Sequence, residues 1–374
     1  MVALLLLAFV ALSACGRINR EPVSKSGFYF DTFISITIYD GTDLSGEHLQ
    51  ETFGKCFSLA ETYESLFSRT KEGSDLWRIN HSKGEKTPVD KETAMLLSLA
   101  LHYSELTSGA VDPSIGKVSS LWDFHADNPE KDGVLPEDVA IQEALQHVDY
   151  QKIHIFYGDM PIGEALLSPG NTGSIMSQEM YEKAPDSNDF VQNDEQDYFV
   201  WLEDPEMVLD LGFIAKGYIA DRMKEALLKE GVSSAIINLG ANILTVGEKT
   251  DGSPFQVGIQ KPFGQRNEVA SIEKVRDSSV VTSGNYERYF IKDGELYHHI
   301  LDPETGYPVR NGLSSVTILS KNSADGDALS TSCFCLGIED SIRLLEEINK
   351  NLPEEEAIEA IFIKEDGEIV TMEN

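Results

Sequence analysis

The stretch of sequence that decides the fold is Asp-Leu-Gly-Phe-Ile-Ala-Lys-Gly-Tyr-Ile-Ala-Asp, residues 210–221. It predicts the end of a strand, a turn at Gly212 and a helix that continues to Gly231. Such a turn directs backbone N–H groups and the positive end of the helix toward one point, and Lys216 adds a charge in the first turn. The segment is therefore a candidate anion site, although an ordinary strand-to-helix turn with a solvated lysine has the same pattern.

Strands and helices alternate irregularly on both sides of this segment. Apolar residues repeat at every second position in 33–39, which predicts a first strand, and at helical spacing in 47–67. Asp90 is a candidate N-cap for a second helix, and Gly109 is its candidate C-cap. Further predicted elements are a strand at 152–157, helices at 325–336 and 339–349, and a terminal hairpin. Because no regular strand–helix–strand repeat is present, the predicted fold class is α+β rather than a doubly wound sheet.

The composition is that of a globular and strongly acidic protein. Its 374 residues suggest two lobes or one large domain, and 41% of them are hydrophobic, which is near the average for packed proteins. Lys and Arg number 30 against 63 Asp and Glu, so the net charge is −33. This charge repels phosphate backbones and argues against nucleic acid as a partner. A phosphate-containing ligand would need a metal ion, a helix N-terminus or a few Lys and His side chains to offset it.

The N-terminus predicts an exported protein. Residues 1–14 form an apolar run with the length of a signal peptide, too short to be a stable membrane anchor. The run ends in Leu-Ser-Ala-Cys, which resembles the lipidation signal of bacterial lipoproteins and makes Cys15 the lipid carrier. An ordinary signal peptide with a chance cysteine is the alternative. Residues 15–27 are then a lipidated cysteine and a flexible stalk that tethers residues 28–374 to the extracytoplasmic face of the cell membrane.

The remaining cysteines are predicted to be buried structural thiols. Cys56, Cys333 and Cys335 cannot all pair with one another, so a disulfide framework is not supported. The spacing of Cys333 and Cys335 is also not that of a zinc site.

Residues 159–197 interrupt the pattern of helices and strands. The segment is rich in acidic residues, Pro, Gly, Ser and Asn, and it has no sustained hydrophobic period. We predict a mobile, solvated surface insertion, with docking of a partner as the alternative.

Three further segments carry side chains that suit phosphate chemistry. Residues 282–290 join hydroxyl and amide groups to a predicted strand. His298 and His299 precede an Asp-Pro-x-Thr-Gly turn, where a histidine can donate to phosphate or transfer a proton, although a packed imidazole is also common. Asp327 and Thr331 are four residues apart on one helix face and offer a carboxylate and a hydroxyl to Mg²⁺. A capping aspartate with a back-bonded threonine is the alternative.

Together these segments resemble the ApbE family of FAD:protein FMN transferases over about residues 28–336. The motifs that carry the resemblance are Phe-Tyr-Phe-Asp-Thr at 28–32, Ser-Arg-Thr at 68–70 with Arg-Ile-Asn at 78–80, Glu-Leu-Thr-Ser-Gly-Ala-Val-Asp-Pro at 105–113, Asp-Leu-Gly-x-Ile-Ala-Lys-Gly at 210–217, Thr-Ser-Gly-Asn-Tyr-Glu-Arg at 282–288, His-Ile-Leu-Asp-Pro-x-Thr-Gly at 299–306 and Asp-Ala-Leu-Ser-Thr at 327–331. Phe30 and Asp31 stand where the family commonly has Met-Gly, and Thr70 stands where it often has an aromatic residue or Asn. The resemblance implies a two-lobed α+β domain that binds flavin in the cleft between the lobes.

The resemblance also implies which residues form the site. The implied catalytic residues are His299, Asp327 and Lys216. The residues implied to bind FAD are Phe30, Thr70, Ala110, Val111, Asp112, Asp210, Lys216, Ser283, Asn285, His299 and Ile300. Those implied to hold Mg²⁺ are Asp327, Thr331 and the backbone carbonyl of Phe213.

The implied reaction transfers FMN to a Ser or Thr hydroxyl of an exported flavoprotein subunit. The hydroxyl attacks the FMN-side phosphorus of FAD and AMP leaves, while Mg²⁺ polarises the diphosphate. Asp327 or Asp302 takes the hydroxyl proton. Two alternatives stay open. The first is a Mg²⁺-dependent FAD pyrophosphatase that yields FMN and AMP, because Thr70 leaves the balance between transfer and hydrolysis undecided. The second is a non-catalytic FAD-binding lipoprotein.

Overall fold

A computed structural model describes residues 21–42, 44–124, 133–162, 198–265 and 267–372. The proposed signal peptide, Cys15 and residues 163–197 of the predicted insertion lie outside these ranges. In the described ranges, no helix combines the length and the apolar character needed to cross a membrane.

The centre of the described fold is an eight-stranded antiparallel sheet. In spatial order its strands are β1 (Val23–Tyr29), β2 (Thr32–Gly41), β7 (Val232–Leu239), β8 (Asn242–Gly247), β11 (Ser279–Gly284), β14 (Leu313–Ser320), β15 (Glu359–Lys364) and β16 (Ile369–Thr371). The alternation in β2 matches its two faces, since Ile34, Ile36 and Ile38 are at most 2% exposed while the residues between them are partly exposed.

Smaller β-structures surround this sheet. A second sheet has the order β3 (Thr87–Val89), β6 (Tyr198–Leu202), β4 (Ile153–Tyr157) and β5 (Met160–Pro161). Two hairpins are formed by β9 (Phe255–Gln260) with β10 (Val269–Val275), and by β12 (Tyr289–Lys292) with β13 (Glu295–His298). Strands β5 and β6, which precede and follow residues 163–197 in the chain, both belong to the second sheet.

The helices of the described chain cover one face of the large sheet and connect the two sheets. They are α1 (Gly46–Phe67), α2 (Asp75–Asn80), α3 (Lys91–Leu106), α4 (Gly116–Ser119), α5 (Asp138–Leu145), α6 (Ala215–Lys229), α7 (Ser323–Leu336) and α8 (Ile338–Asn349), with 3₁₀ turns at Tyr150–Lys152 and Glu354–Glu356. Helix α6 packs against α1, α7 and β7, and α7 packs against β11 and β14. The opposite face of the large sheet is covered by the β9–β10 hairpin, whose Phe255, Val257 and Val275 are buried against Val280.

The sequence predictions for the helices are confirmed. Residues 47–67 lie in α1, and residues 325–336 and 339–349 lie in α7 and α8. Asp90 is the N-cap of α3 and its side chain accepts the N–H of Glu92 at 2.8 Å.

The three cysteines of the described chain are free thiols, as predicted. Cys56 and Cys333 are buried and Cys335 is partly buried. Burial raises the pKa of the Cys56 thiol to about 12.

Several predicted boundaries are wrong. Residues 23–27, assigned to a flexible stalk, form most of β1, which precedes the strand predicted as the first. The C-cap of α3 is Thr107, and Gly109 lies two residues beyond it with a φ of 86°. The predicted insertion begins too early, because Met160–Pro161 pairs with β4 as strand β5.

The turn between β1 and β2 contains two residues, Phe30 and Asp31, at which the sequence departs from the pattern that it resembles. Phe30 and Asp31 form a two-residue connection in which both residues have a positive φ, of 52° and 54°. Hairpins of this kind favour glycine or asparagine, since other side chains crowd the backbone there. The glycine that the family commonly places at position 31 suits this conformation.

We expect Asp31→Gly to raise the free energy of unfolding by about 0.5 kcal/mol, because glycine adopts a positive φ without strain. Asp31→Val should lower the same free energy, because a β-branched side chain is disfavoured at positive φ. Urea unfolding of both variants beside the parent measures the two effects. Destabilisation by glycine as well as by valine would show that the aspartate side chain outweighs the backbone conformation.

Candidate active site

The first part of the site forms where the start of α6 meets the first turn of α7. Asp327 is 3% exposed, and its Oδ2 accepts the backbone N–H of Gly217 at 2.9 Å. The Nζ of Lys216 lies 3.5 Å from the Oδ1 of Asp327 and 3.5 Å from the carbonyl oxygen of Gly212. Burial raises the pKa of Asp327, and the Lys216 ammonium works against this rise. The Lys216 ammonium therefore lies within 3.5 Å of both a buried carboxylate and a backbone carbonyl of the loop that leads into α6.

A group of hydroxyls lies one helical turn after Asp327. The hydroxyl of Thr331 donates to the backbone carbonyl oxygen of Asp327 at 3.4 Å, and the Asp327 carboxylate caps Gly217, so the structure shows the back-bonded threonine and capping aspartate of the alternative interpretation. The Oγ of Ser283, near the end of β11, lies 3.0 Å from the Oγ1 of Thr331 and 2.8 Å from the Oγ of Ser330. The structure thus brings the predicted residues Ser283, Asp327 and Thr331 together, although more than forty residues separate Ser283 from Thr331 in the chain.

The histidine of the site lies beside two cationic side chains. The Nδ1 of His299 is 3.3 Å from the carbonyl oxygen of Arg288, so Nδ1 carries the hydrogen and Nε2 is left as an acceptor. Burial, assisted by the positive charges of Arg288 and Lys216, lowers the pKa of His299 to about 3. The imidazole is therefore neutral near neutral pH. Lys216 also acts on Glu287, where its charge opposes the rise in pKa that burial causes.

A small aromatic cluster supports the turn that follows His299. Trp122 donates its Nε1–H to the carbonyl oxygen of Gly306 at 3.1 Å. The Trp122 ring packs against Phe290 and Tyr307, and Leu301 is buried in the same cluster. Asp302 closes the turn by accepting the N–H of Glu304 at 2.8 Å and the hydroxyl of Thr305 at 3.0 Å. The Asp-Pro-x-Thr-Gly sequence forms the predicted turn.

Asp210 is part of an ion pair on the other side of the α6 loop. Its Oδ2 lies 3.0 Å from the Nη1 of Arg69, and it accepts the hydroxyl of Ser119 at 3.2 Å. Its Oδ1 accepts the N–H of Gly212 at 2.9 Å. The neighbouring Thr70 is exposed, and its Oγ1 lies 3.3 Å from the Oγ of Ser68. The blocks at 68–70 and 210–217 therefore meet in space.

Other implied FAD-binding residues use their polar groups within the fold. The carboxylate of Asp112 is buried and accepts the N–H of Ser114 at 2.7 Å and the N–H of Tyr150 at 3.0 Å. Asn285 is also buried and donates its Nδ2–H to the Leu313 carbonyl oxygen, whereas its Oδ1 has no hydrogen-bond partner. The remaining implied residues are partly exposed (Phe30 and Ala110) or buried (Val111 and Ile300).

Sequence reasoning did not assign a role to Arg69, Arg288 or Asp221. Arg69 and Arg288 lie inside motifs that carry the resemblance, and a basic residue within such a motif is a usable signal in a chain of net charge −33. Asp221 is the last residue of the segment 210–221. Its partners are more than one hundred residues away, so its role is visible only in the structure.

The residues around Asp327 fit a hard divalent cation. Within the ranges that the structure describes, no three His, Cys, Asp or Glu side chains converge as a metal site. The available donors are instead one buried carboxylate, the hydroxyl of Thr331 and a carbonyl of the loop that contains Phe213, and all of these are oxygens, as Mg²⁺ prefers. The carbonyl oxygen of Gly212 in this loop and the Oδ1 of Asp327 both lie 3.5 Å from the Lys216 Nζ, so a cation near Lys216 is within reach of the loop and of the carboxylate.

A protein-family model described as the ApbE family matches residues 30–358. The chain belongs to the ApbE family. Among its relatives, a Treponema pallidum (strain Nichols) protein named FAD:protein FMN transferase is 31% identical and the match covers 98% of this chain and 92% of that protein. A Klebsiella pneumoniae (strain 342) protein of the same name is 32% identical, over 86% of this chain and 85% of that protein.

Solved structures of ApbE proteins have the same fold. The ApbE protein of Thermotoga maritima is 27% identical, with a TM-score of 0.73 over 94% of this chain and 97% of that one. The flavin transferase ApbE of Vibrio cholerae is 23% identical, with a TM-score of 0.70 over 94% of this chain and 96% of that one. The predicted α+β fold class and the resemblance to ApbE proteins are both confirmed.

The buried His298 next to His299 predicts a pH effect on stability. Its Nε2 donates to the Val309 carbonyl oxygen at 3.0 Å, and its ring contacts Phe334 of α7 edge-on. Burial lowers the pKa of His298 from 6.5 to about 4. Between these two pKa values the unfolded chain binds a proton at His298 that the folded chain does not. The free energy of unfolding is therefore at its full value above the unfolded pKa of 6.5 and decreases as the pH falls below it.

We expect His298→Gln, which keeps a donor for Val309, to remove this acid sensitivity. Relative to the variant, the parent should lose about 2 kcal/mol of unfolding free energy between about pH 7 and about pH 5. Urea unfolding at several pH values measures the difference, with His81→Gln as a control that removes an imidazole from the surface. Parallel pH curves for parent and His298→Gln would contradict the prediction.

Proposed function

We propose that this protein transfers FMN from FAD to a Ser or Thr hydroxyl of a flavoprotein subunit and releases AMP. Its family and the names of its relatives support this reaction. The observation that carries the proposal is the grouping of Lys216 and His299 with Asp327 and its neighbouring hydroxyls in a chain of net charge −33. This arrangement offers a diphosphate both cationic and neutral donors, and a carboxylate that can hold a cation.

The proposed reaction exchanges one phosphorus–oxygen bond for another. The acceptor hydroxyl oxygen forms a bond to the FMN-side phosphorus, and the bond from that phosphorus to the AMP oxygen breaks. The hydroxyl loses its proton, and AMP leaves with the electron pair of the broken bond. FAD would lie in the cleft between the lobes that carry the large and the second sheet.

The residues of the site have separate roles in this proposal. Lys216 binds a phosphate oxygen and stabilises negative charge as it develops. His299 is neutral and can accept the hydrogen of the acceptor hydroxyl through Nε2. Asp327, Thr331 and the carbonyl of Phe213 would hold Mg²⁺, which when bound would neutralise the diphosphate and polarise it.

Two carboxylates are candidates for the group that accepts the hydroxyl proton. Asp327 is buried beside Lys216, and its two oxygens already face that ammonium and the N–H of Gly217. Asp302 accepts two hydrogen bonds within its own turn. The choice between these two carboxylates stays open.

One experiment separates this function from its alternatives. The protein is incubated with FAD, Mg²⁺ and a candidate acceptor that contains a Ser or Thr, and the products are resolved by chromatography and mass spectrometry. FMN bound covalently to the acceptor supports the proposal. Free FMN and AMP with unmodified acceptor would instead identify a pyrophosphatase. Intact bound FAD alone would identify a storage protein.

We expect Asp327→Ala to lower turnover by on the order of 100-fold or more, because it removes the only carboxylate of the proposed metal site. The thermal midpoint of the variant in the absence of Mg²⁺ shows whether the fold is retained. Asp366→Ala, at an exposed aspartate, is the control and should keep parental turnover. Parental rates for Asp327→Ala at limiting Mg²⁺ would contradict the metal site.

We further propose that the protein is exported and tethered to the extracytoplasmic face of the membrane through a lipid on Cys15. The support is the sequence Leu-Ser-Ala-Cys at 12–15 after an apolar run. Cys15→Ser should release the protein from the membrane fraction into the soluble one, as measured by fractionation and immunoblotting. Cys56→Ser, at a buried thiol, is the control and should stay with the membrane. Equal membrane retention of parent and Cys15→Ser would exclude the lipid anchor.

A further inference from the structure

Helices α6 and α7 approach each other more closely than side chains normally allow. A Cβ atom placed on Gly217 would lie 2.2 Å from the carbonyl oxygen of Ser323 and 2.7 Å from the Cα of Ala324. Any larger residue at position 217 would therefore push the first turn of α7 away from α6. The crossing point coincides with the residue whose N–H binds Asp327.

The two helices exchange capping carboxylates at this crossing. Asp327 of α7 accepts the N–H of Gly217 in the first turn of α6 at 2.9 Å. Asp221 of α6 in turn accepts the N–H groups of Ser323 and Ala324, the first two residues of α7, each at 2.8 Å. Since the first N–H groups of a helix have no partner within it, each helix satisfies those of the other. Both carboxylates are buried, at 7% and 3% exposure for Asp221 and Asp327.

The start of α7 is also fixed to the large sheet. The hydroxyl of Ser323 donates to the Oδ1 of Asn242 on β8 at 2.7 Å. The hydroxyl of Ser279 on β11 lies 3.1 Å from the same Ser323 oxygen. The position of α7, and with it the position of Asp327, is therefore set by contacts from α6, β8 and β11.

We propose that Asp221 is a positioning residue that fixes Asp327 for metal binding by holding the first turn of α7 against α6. This inference rests on the proposed metal site at Asp327. The Asp221 carboxylate accepts the N–H groups of the first two residues of α7, so it acts on Asp327 through α7. A single helix cap does not need a buried carboxylate, which is costly to bury, since Ser or Asn caps a helix equally well. Asp221 uses a different oxygen for each of its two backbone partners, and among these side chains only a carboxylate offers two acceptor oxygens.

The test is the affinity of the full-length protein, without FAD, for Mn²⁺ as a spectroscopic probe of the metal site. Asp221→Asn retains the shape of the side chain but replaces one acceptor oxygen with a donor, so it loses one of the two N–H partners. We expect its dissociation constant for Mn²⁺, measured by electron paramagnetic resonance, to rise about tenfold, equivalent to about 1.4 kcal/mol. Asp221→Glu, which restores the carboxylate, should recover part of the loss.

The matched control is Asp75→Asn. Asp75 of α2 is also buried, and it accepts the N–H of Asp90 at 2.6 Å and the hydroxyl of Thr93 at 2.8 Å at the start of α3. It thus also supports a helix start, away from α7, through its Oδ2 alone, while its Oδ1 pairs with Arg78. A merely structural role for Asp221 predicts that both variants lose thermal stability and keep Mn²⁺ affinity. A positioning role predicts that only Asp221→Asn loses affinity.

The outcomes separate this inference from the function on which it rests. Unchanged Mn²⁺ affinity in a folded Asp221→Asn protein would overturn the positioning role and leave the metal site intact. Absence of Mn²⁺ binding by the parent would overturn the metal site, and the positioning role with it. If Asp221→Asn does not fold, Asp221→Glu is measured instead, because it keeps a carboxylate but moves it by one methylene relative to the N–H groups of Ser323 and Ala324. It should weaken Mn²⁺ binding several-fold relative to the parent, and parental affinity in this variant would equally overturn the inference.

Discussion

The close crossing of α6 and α7 at Gly217 is the constraint on which the rest of the site depends. Without a side chain at this position, the backbones approach until the N–H of Gly217 reaches Asp327 and the first N–H groups of α7 reach Asp221. The same contact sets the distance from Asp327 to Lys216, because Lys216 immediately precedes the crossing residue. Backbone packing, rather than the length or flexibility of side chains, thus determines where the buried carboxylate lies relative to the α6 loop.

The second constraint is electrostatic. A chain with 63 acidic and 30 basic residues repels a diphosphate at most of its surface. The site offsets this repulsion locally, since the charges of Lys216 and Arg288 act on His299, whose pKa burial and those same charges lower. Asp327 pairs with Lys216, and in the proposed function its carboxylate would also offer an anionic oxygen to a cation. A net acidic protein can bind an anionic substrate when its few cations are grouped in this way.

Much of the fold and part of the site could be predicted from the sequence. Helices with local caps were recognisable, as the Asp90 cap of α3 shows, because capping and helical spacing are short-range features. Strand β1 was missed because Val23–Tyr29 is an edge strand whose mostly exposed faces show no apolar alternation. Residues within one motif, such as Asp327 and Thr331, were correctly assigned to one helix face. The pairing of Asp221 with Ser323 could not be predicted, since nothing local indicates which helix will lie across α6.

A buried carboxylate at the start of a neighbouring helix is not in itself a sign of function. Asp75 makes the same kind of contact to the start of α3, and its contacts there stabilise a packing arrangement. The contact of Asp221 differs because the helix that it caps, α7, in turn caps α6 through Asp327. Gly217 lets the two helices approach closely enough for both sets of hydrogen bonds to form. Where only one helix is capped by the other, loss of the hydrogen bonds at the cap affects only the start of the capped helix. In a reciprocal pair, each bond depends on the position of both helices, so the geometry of Asp327 is coupled to that of Asp221 on the neighbouring helix.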